Sequence, residues 1–268
     1  MSELAIIGAG NMAEAIVRGI LSANAIASSQ IIAADVSDAR RAIFEQLGVK
    51  TVAVNTDAVR GAKRVLLSVK PHVMKSALEQ MASALAPDVL LISIAAGISS
   101  AFIEQSLGGG THWRVIRTMP NTPMLVGQGM VGLSRGTFAT PDDVRDATRL
   151  FEAAASVIEV PEDQLHAVTA VSGSGPAYFF FLVEQMVTAG MALGLSADQA
   201  LQLASKTALG AATMLATSAD SPAELRRKVT SPNGTTHAAI THMETAGMAR
   251  TIQDALQAAD RRSRELGI

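Results

Sequence analysis

The sequence predicts an α/β domain with a mainly parallel sheet, followed by an all-α domain. Three observations predict it. Short β-branched runs alternate with amphipathic segments through about Val160, the first run enters a glycine-rich turn, and from Pro161 onward helical spacing of Ala, Leu and Met replaces the alternation. A chain of 268 residues suits two unequal domains better than one core, and the composition change places them at 1–161 and 162–268.

The first strand, Leu4 to Ile7, runs into Gly8-Ala9-Gly10-Asn11-Met12-Ala13, and Met12 to Ala23 reads as helix. A Gly-x-Gly-x-x-Ala turn between strand and helix opens a Rossmann-type domain. The chain swings at Gly8, approaches a pyrophosphate at Gly10, and aims helix N–H groups at its charge. A second strand, Ile31 to Ala34, ends at Asp35, about 25 residues after Gly10, near the spacing of a ribose contact. Further strands follow at Thr51 to Val54, Arg64 to Val69, Val89 to Ile94, Trp113 to Met119, Met130 to Ser134 and Val157 to Val160. Helices lie between them at Asp38 to Leu47, Val73 to Leu85, Ser99 to Leu107 and Pro141 to Phe151. Ser37 or Asp38, Ser99, and Thr140 with Pro141 mark helix starts, while Gly48 and Gly108 mark ends. Beyond Pro161, the apolar stretch Ala177 to Val183 stops at Glu184 and Gln185, too short to cross a bilayer, and reads as a buried helix. Small residues such as Ala189, Gly190, Gly194, Ala204 and Ala208 allow close helix packing, in a self-contained bundle or against a second subunit.

Composition narrows the partners. Lys and Arg number 22 against 24 Asp and Glu, a formal charge of -2, which offers no basic footprint for nucleic acid. Cysteine is absent, so disulfides, thiolate catalysis and Cys-ligated metals are excluded. No pair of the histidines has metal-ligand spacing on one helical face, so no metal is expected. Ser172 and Ser174 lack a His and Asp partnership, which argues against a serine hydrolase. The Met-Ser-Glu start carries no basic n-region, and its apolar stretch breaks at Gly8. The expectation is a soluble, unprocessed cytoplasmic chain with no membrane partner.

Three further segments carry candidate chemistry. Met119-Pro120-Asn121-Thr122-Pro123 follows a strand at the edge where open α/β sheets bind ligands, and is either a ligand loop or a rigid turn. Ser172-Gly173-Ser174-Gly175-Pro176-Ala177-Tyr178 interrupts helical sequence, for a ligand or for helix contact. Thr230-Ser231-Pro232-Asn233-Gly234-Thr235-Thr236 precedes a helix whose free N–H groups favour a carboxylate, although capping alone also accounts for its Ser and Thr. Lys70-Pro71, after Val69, puts a cation at the same edge as Gly8 to Ala13, either for a ligand or as a solvated strand-end lysine.

Taken in order, Gly8 to Ala13, Val69-Lys70-Pro71, the Met119 to Pro123 run, the Ser172 to Tyr178 run and Ser231-Pro232-Asn233-Gly234-Thr235-Thr236 resemble the pyrroline-5-carboxylate reductases over nearly the whole chain. The resemblance implies hydride transfer from a reduced nicotinamide to the C=N carbon of Δ1-pyrroline-5-carboxylate, giving L-proline. It implies Thr236 as the catalytic contact to the imine nitrogen, and Ser231 with the backbone of Asn233, Gly234 and Thr235 as a carboxylate clamp. It also implies that Gly8, Gly10, Asn11 and Met12 hold the pyrophosphate, with Asn55 toward adenosine, Lys70 toward the nicotinamide ribose, and Val69 and Pro71 beside it among the cofactor-binding residues. Met119, Pro120, Asn121 and Thr122 would shape the nicotinamide pocket, and Ser172 to Pro176 would meet cofactor and substrate. Homo-oligomers, dimers through the helical domain or decamers built from dimers, come from the same resemblance.

Two departures concern the ligands. Asp35 is the residue type that bonds ribose hydroxyls of NADH and repels a 2′-phosphate, whereas Ser37, Arg40 and Arg41 favour NADPH if the turn points Asp35 aside. NADPH is the expectation, with NADH the alternative. Asn233 stands where many relatives carry Gly, and Asn tolerates the left-handed backbone such a position requires. A β-hydroxyacid dehydrogenase would carry a lysine shortly after Gly175, where Pro176-Ala177-Tyr178-Phe179 stands instead. A non-catalytic nucleotide sensor would need no clamp at Ser231 to Thr236.

Overall fold

β1 (Leu4–Ile7) is buried along its whole length, as an apolar run without alternation must be in the middle of a parallel sheet. The computed structural model describes residues 2–108 and 110–267; Met1 and Ile268, the outer limits of the expected domains, lie outside them. β1 pairs in parallel with β2 (Ile31–Ala34), which pairs with β3 (Lys50–Val52). On its other side β1 pairs with β4 (Arg64–Leu67), followed by β5 (Leu90–Ser93) and β6 (Arg114–Pro120), all parallel. β7 (Gly129–Arg135) is antiparallel to β6, and β8 (Ala155–Glu159) parallel to β7, giving the order β3-β2-β1-β4-β5-β6-β7-β8. The reversal follows from the connection: a 3-10 turn at Thr122–Val126 and Gly127, at φ +71°, join β6 to β7 too briefly for a parallel crossover.

Both faces of this sheet are covered. α1 (Asn11–Ser22), α2 (Asp38–Gln46) and, later in the chain, Pro141–Phe151 contribute Ile16, Ile20, Phe44, Leu150 and Phe151 to one core, with Leu4 and Ile6. α3 (Asn55–Val59), α4 (Pro71–Met81) and α5 (Ser100–Ser106) contribute Val59, Met74, Leu78 and Ile103 to the other, with Ala5 and Ile7. The Pro141–Phe151 helix is α6. Ser37 and Ser99 cap α2 and α5, Thr140 and Asp143 form a capping box on α6, and Gly48 and Gly108 adopt positive φ after α2 and α5. The sequence reading carried β3 to Val54; the strand stops at Val52, because Val54 is already the cap of α3.

The chain forms two compact units, Met1–Ser174 with Ala259–Ile268, and Gly175–Ala258. The expected limit at 161/162 marks the end of the β alternation, whereas the packing limit falls inside the Ser172 to Pro176 run. In the sheet-bearing unit, α7 (Leu165–Val168) leads into a π-helical turn at Thr169–Gly173, the interruption that the Gly-Pro run predicts. A Cβ at Gly173 would lie 2.7 Å from the Met119 methyl, so glycine permits this approach.

In the second unit α8 (Gly175–Ala192) packs on α9 (Ala197–Thr217), with Gly190 against Ala200. α10 (Pro222–Lys228), α11 (Thr235–Thr245) and the first part of α12 (Met248–Glu265) complete it. The Ala177 to Val183 stretch is helical, but its expected burial is not met within the chain: Phe179, Phe180 and Phe181 are 63%, 69% and 63% exposed. Leu201, Leu203 and Leu209 of α9 are exposed as well. The helices are apolar on more faces than one antiparallel pair covers, so composition alone overstates intrachain burial. Among the described residues no helix is long and apolar enough to cross a membrane.

Candidate active site

Sheet order decides which loops meet. The chain leaves β1 toward β2 and β3, then returns to place β4 on β1's other side, and ligands bind at such a switch point beyond the carboxyl ends of the strands. Gly8 follows β1 at φ +95°, and a Cβ there would lie 2.8 Å from the Ser68 carbonyl oxygen, which only glycine tolerates. Gly10 is the N-terminal cap residue of α1, in extended conformation and with no side-chain cap, so the first-turn N–H groups at Asn11, Met12 and Ala13 remain open. A Cβ at Gly10 would meet nothing within 4 Å. The protein itself therefore does not need a glycine there, whereas a phosphate brought against the backbone does. These residues fit a dinucleotide pyrophosphate.

At the end of β2, the Asp35 carboxylate accepts hydrogen bonds from the Ala9 N–H at 2.8 Å and the Ser37 N–H at 2.8 Å. It is thus turned onto the glycine turn and its own loop. Arg40 donates through Nε to the Ala9 carbonyl at 2.5 Å and through Nη2 to Glu14 at 2.9 Å. Glu14 also receives Arg18. Burial pushes the Glu14 carboxyl up, but the two arginines outweigh it and hold it below the usual carboxylate range, so it is anionic at neutral pH. Arg41 donates to the Asp35 carbonyl at 2.7 Å and pairs with the exposed Asp38. The Ser37 hydroxyl accepts from the Arg40 N–H and keeps its own proton to donate. Asn55 begins α3, and its side-chain amide reaches Gln80 at 3.4 Å. The residue that sequence reasoning missed here is Glu14, whose pairing with Arg40 across 26 positions leaves no local signal.

Beyond β4, Val69 is half-buried and Lys70 caps α4, with Pro71 at the first helical position, where its missing N–H costs nothing. Beyond β5, the segment Ile94 to Gly97 emerges at the same edge and was also missed; its place directly after an apolar strand was the available signal. Beyond β6, Asn121 is 8% exposed and uses both ends of its amide internally. Its Nδ2 donates to the Ser172 carbonyl at 3.0 Å, and its Oδ1 accepts from the Met130 N–H at 2.9 Å. Asn121 thereby ties the Met119 to Thr122 segment to the π-helical turn, and Thr122 itself is exposed.

The Ser231 to Thr236 segment belongs to the other compact unit. The Gly234 N–H bonds the Ser231 carbonyl at 3.0 Å, closing a turn in which Asn233 adopts φ +61°, the left-handed conformation its side chain tolerates. Gly234 is the cap residue of α11 and no side chain caps this helix, so capping does not account for the Ser and Thr. Ser231, Thr235 and Thr236 are exposed. An uncapped helix start flanked by hydroxyls suits a small carboxylate with a second polar atom. Among the described residues no group of three or more His, Cys, Asp or Glu is placed to hold a metal.

Comparison with known proteins agrees with both halves. Residues 162–266 match the family described as "Pyrroline-5-carboxylate reductase dimerisation", and residues 3–97 the family described as "NADP oxidoreductase coenzyme F420-dependent". A pyrroline-5-carboxylate reductase of Pseudomonas aeruginosa is 45% identical over 266 residues, covering 98% of this chain and 96% of that protein. One from Pisum sativum is 41% identical over 263 residues, covering 98% and 95%. Among solved structures, a pyrroline-5-carboxylate reductase from Coxiella burnetii aligns with TM-score 0.92 at 37% identity, covering 100% of this chain and 99% of that one. A pyrroline carboxylate reductase from Plasmodium falciparum with NADP bound aligns with TM-score 0.88 at 26% identity, covering 100% and 98%. With this similarity running through the glycine turn, the strand-end loops and the Ser231 to Thr236 turn alike, the chain belongs to the pyrroline-5-carboxylate reductase family.

Proposed function

We propose that this protein is a pyrroline-5-carboxylate reductase, performing the last step of proline biosynthesis as an NAD(P)H-dependent oxidoreductase. The observation that carries the site assignment is the uncapped, hydroxyl-flanked start of α11. A reduced nicotinamide supplies the hydride to the C=N carbon of Δ1-pyrroline-5-carboxylate, and a proton joins the ring nitrogen, giving L-proline. The chain's own residues bind and orient. A protonated cyclic imine is already electrophilic, so the site needs placement and a hydrogen-bond partner for nitrogen more than a strong acid. Thr236 fills that role. The Ser231 hydroxyl and the backbone of Asn233, Gly234 and Thr235 clamp the substrate carboxylate, with the N–H groups of Asn233 and Thr235 as donors and that of Gly234 closing the turn onto the Ser231 carbonyl. Neither task requires a catalytic His or Cys.

Gly8, Gly10, Asn11 and Met12 hold the pyrophosphate through the open first turn of α1. Asp35, Ser37, Arg40 and Asn55 line the adenosine end, and Val69, Lys70 and Pro71 the nicotinamide ribose. Met119, Pro120, Asn121 and Thr122 form the wall of the nicotinamide pocket, with Asn121 acting through the two internal bonds it makes. NADPH is the preferred cofactor: Asp35 spends its carboxylate on backbone N–H groups, while Ser37 and Arg41, whose carboxylate partner Asp38 is exposed and screened by solvent, are available to a 2′-phosphate. The exposed apolar faces of α8 and α9 support assembly as homodimers through the helical region 162–268, and decamers built from those dimers follow from the family resemblance alone. The cytoplasm is the compartment that this role suits.

The test is to follow nicotinamide absorbance with Δ1-pyrroline-5-carboxylate and to quantify proline. Oxidation matched by proline supports the reading. Folded protein that binds nucleotide without turning over the pyrroline would favour another imine or hydroxyacid substrate, or a sensing role.

A further inference from the structure

We infer that Glu14 is a specificity-determining residue for the cofactor, withholding Arg40 from a 2′-phosphate. The inference rests on the proposed placement of the adenosine end at Gly8 to Ala13 and Asp35 to Arg41. Two arginines in succession follow the Ser37 cap, and the structure treats them differently. Both donate to a backbone carbonyl, Arg41 to that of Asp35 at 2.7 Å, but the carboxylate paired with Arg41 is the exposed Asp38, which solvent screens and which a ligand displaces cheaply. The carboxylate paired with Arg40 is instead largely covered: Nε donates to the Ala9 carbonyl at 2.5 Å and Nη2 to Glu14 at 2.9 Å, a pair that solvent screens less. The guanidinium therefore lies back along the glycine turn, joined to the first turn of α1.

Glu14 acts twice against a 2′-phosphate. It engages Nη2 and holds the guanidinium toward the first turn of α1, and it adds a negative charge beside the donors that remain. A ligand with a free 2′-hydroxyl meets neither penalty. Asp35, turned onto Ala9 and Ser37, does not release Arg40, because it touches neither of the guanidinium's partners' acceptor atoms. Ser37 and Arg41 then serve the phosphate in the native protein, and Arg40 is a reserve cation that Glu14 keeps engaged.

The experiment is calorimetric titration of the full-length protein with NADP+ and with NAD+, without substrate, for the wild type, Glu14→Gln, Arg40→Gln and the double variant. Glu14→Gln is expected to tighten NADP+ about tenfold, the gain of one charge-assisted contact, while NAD+ changes less than about twofold. Arg40→Gln should leave the NADP+ to NAD+ affinity ratio within about threefold of wild type, yet abolish the gain when combined with Glu14→Gln. An unchanged ratio in Glu14→Gln, or equal movement of both cofactors, would overturn the inference. If Glu14→Gln does not fold, Arg40→Gln decides alone: a tenfold fall in the ratio would show that Arg40 already serves the phosphate. Failure of the wild type to bind either nucleotide would remove the adenosine site itself, a result separable from a ratio that does not respond to Glu14.

Discussion

Replacing Gly10 by alanine separates what the fold needs from what the cofactor needs. Gly10 has φ -72° and ψ 177°, which alanine adopts without strain, and its Cβ would meet no atom within 4 Å. Restricting the unfolded chain stabilises by about 0.4–1 kcal/mol. Alanine is a poorer helix cap than glycine by roughly 0.5–1 kcal/mol. The two offset, so the midpoint of thermal unfolding should move by less than about 2 °C. Nucleotide binding should behave otherwise. A methyl group standing between phosphate and the open N–H groups of α1 removes one or two charge-assisted hydrogen bonds, about 2–4 kcal/mol, or about 30- to 1,000-fold in affinity. Thermal unfolding paired with NADP+ titration reads both quantities. Wild-type affinity in Gly10→Ala would refute the placement of the pyrophosphate, and a fall in midpoint beyond about 5 °C would refute the claim that the fold is indifferent there. Gly8→Ala is the contrast: with φ +95° and backbone 2.8 Å from the added methyl, it should lose about 2–4 kcal/mol of stability whether or not nucleotide is present.

Thr236→Ala should lower kcat by about 10²-fold or more while leaving the KM for NADPH within about twofold, and unchanged steady-state kinetics would remove Thr236 from the proposed contact to the imine nitrogen. Glu162 accepts from the Ser100 hydroxyl at 2.5 Å and N–H at 2.8 Å and from the buried Arg117 at 3.1 Å. Burial pushes its carboxyl up, but these donors outweigh burial and hold it below the usual range. A lowered folded-state pKa gives stability that is present above the ordinary glutamate value of about 4.3 and is lost as pH falls through the folded value. Glu162→Gln should therefore cost about 2–4 kcal/mol at neutral pH and flatten the acid limb of a denaturation profile; an acid limb identical to wild type would contradict the assignment. Phe180→Glu, on the exposed face of α8, should weaken self-association by at least about 30-fold in light scattering, whereas a native-size oligomer at equal concentration would place the interface elsewhere.

The parallel sheet was legible because its strands are unbroken apolar runs: Leu4 to Ile7 and Ile31 to Ala34 agree with the sequence reading at both ends. α3 was not legible, since five residues of Asn-Thr-Asp-Ala-Val carry too little periodicity to distinguish a short helix from a loop. The glycine turn and the Ser231 to Thr236 turn announced themselves through residues whose backbone demands are local, including Asn233 at positive φ. The roles of Asn121 and Arg40 did not. Asn121 bonds residues 9 and 51 positions away, and Arg40 bonds Ala9 and Glu14 across a strand and a helix, so only the folded chain reveals that their polar groups are engaged. Composition misjudged α8 for a related reason. A run of three phenylalanines says that a surface will be covered, and not whether this chain or another molecule covers it.

Catalysis by this protein delivers hydride to the C=N carbon of the pyrroline. Turnover with NADPH carrying deuterium at the transferable nicotinamide position, followed by mass and NMR analysis of the proline, tests it most directly. One deuterium per proline is expected, confined to the δ-carbon, with one nicotinamide oxidised for each proline formed. Proline without deuterium at that carbon, or nicotinamide oxidised without proline, would contradict it.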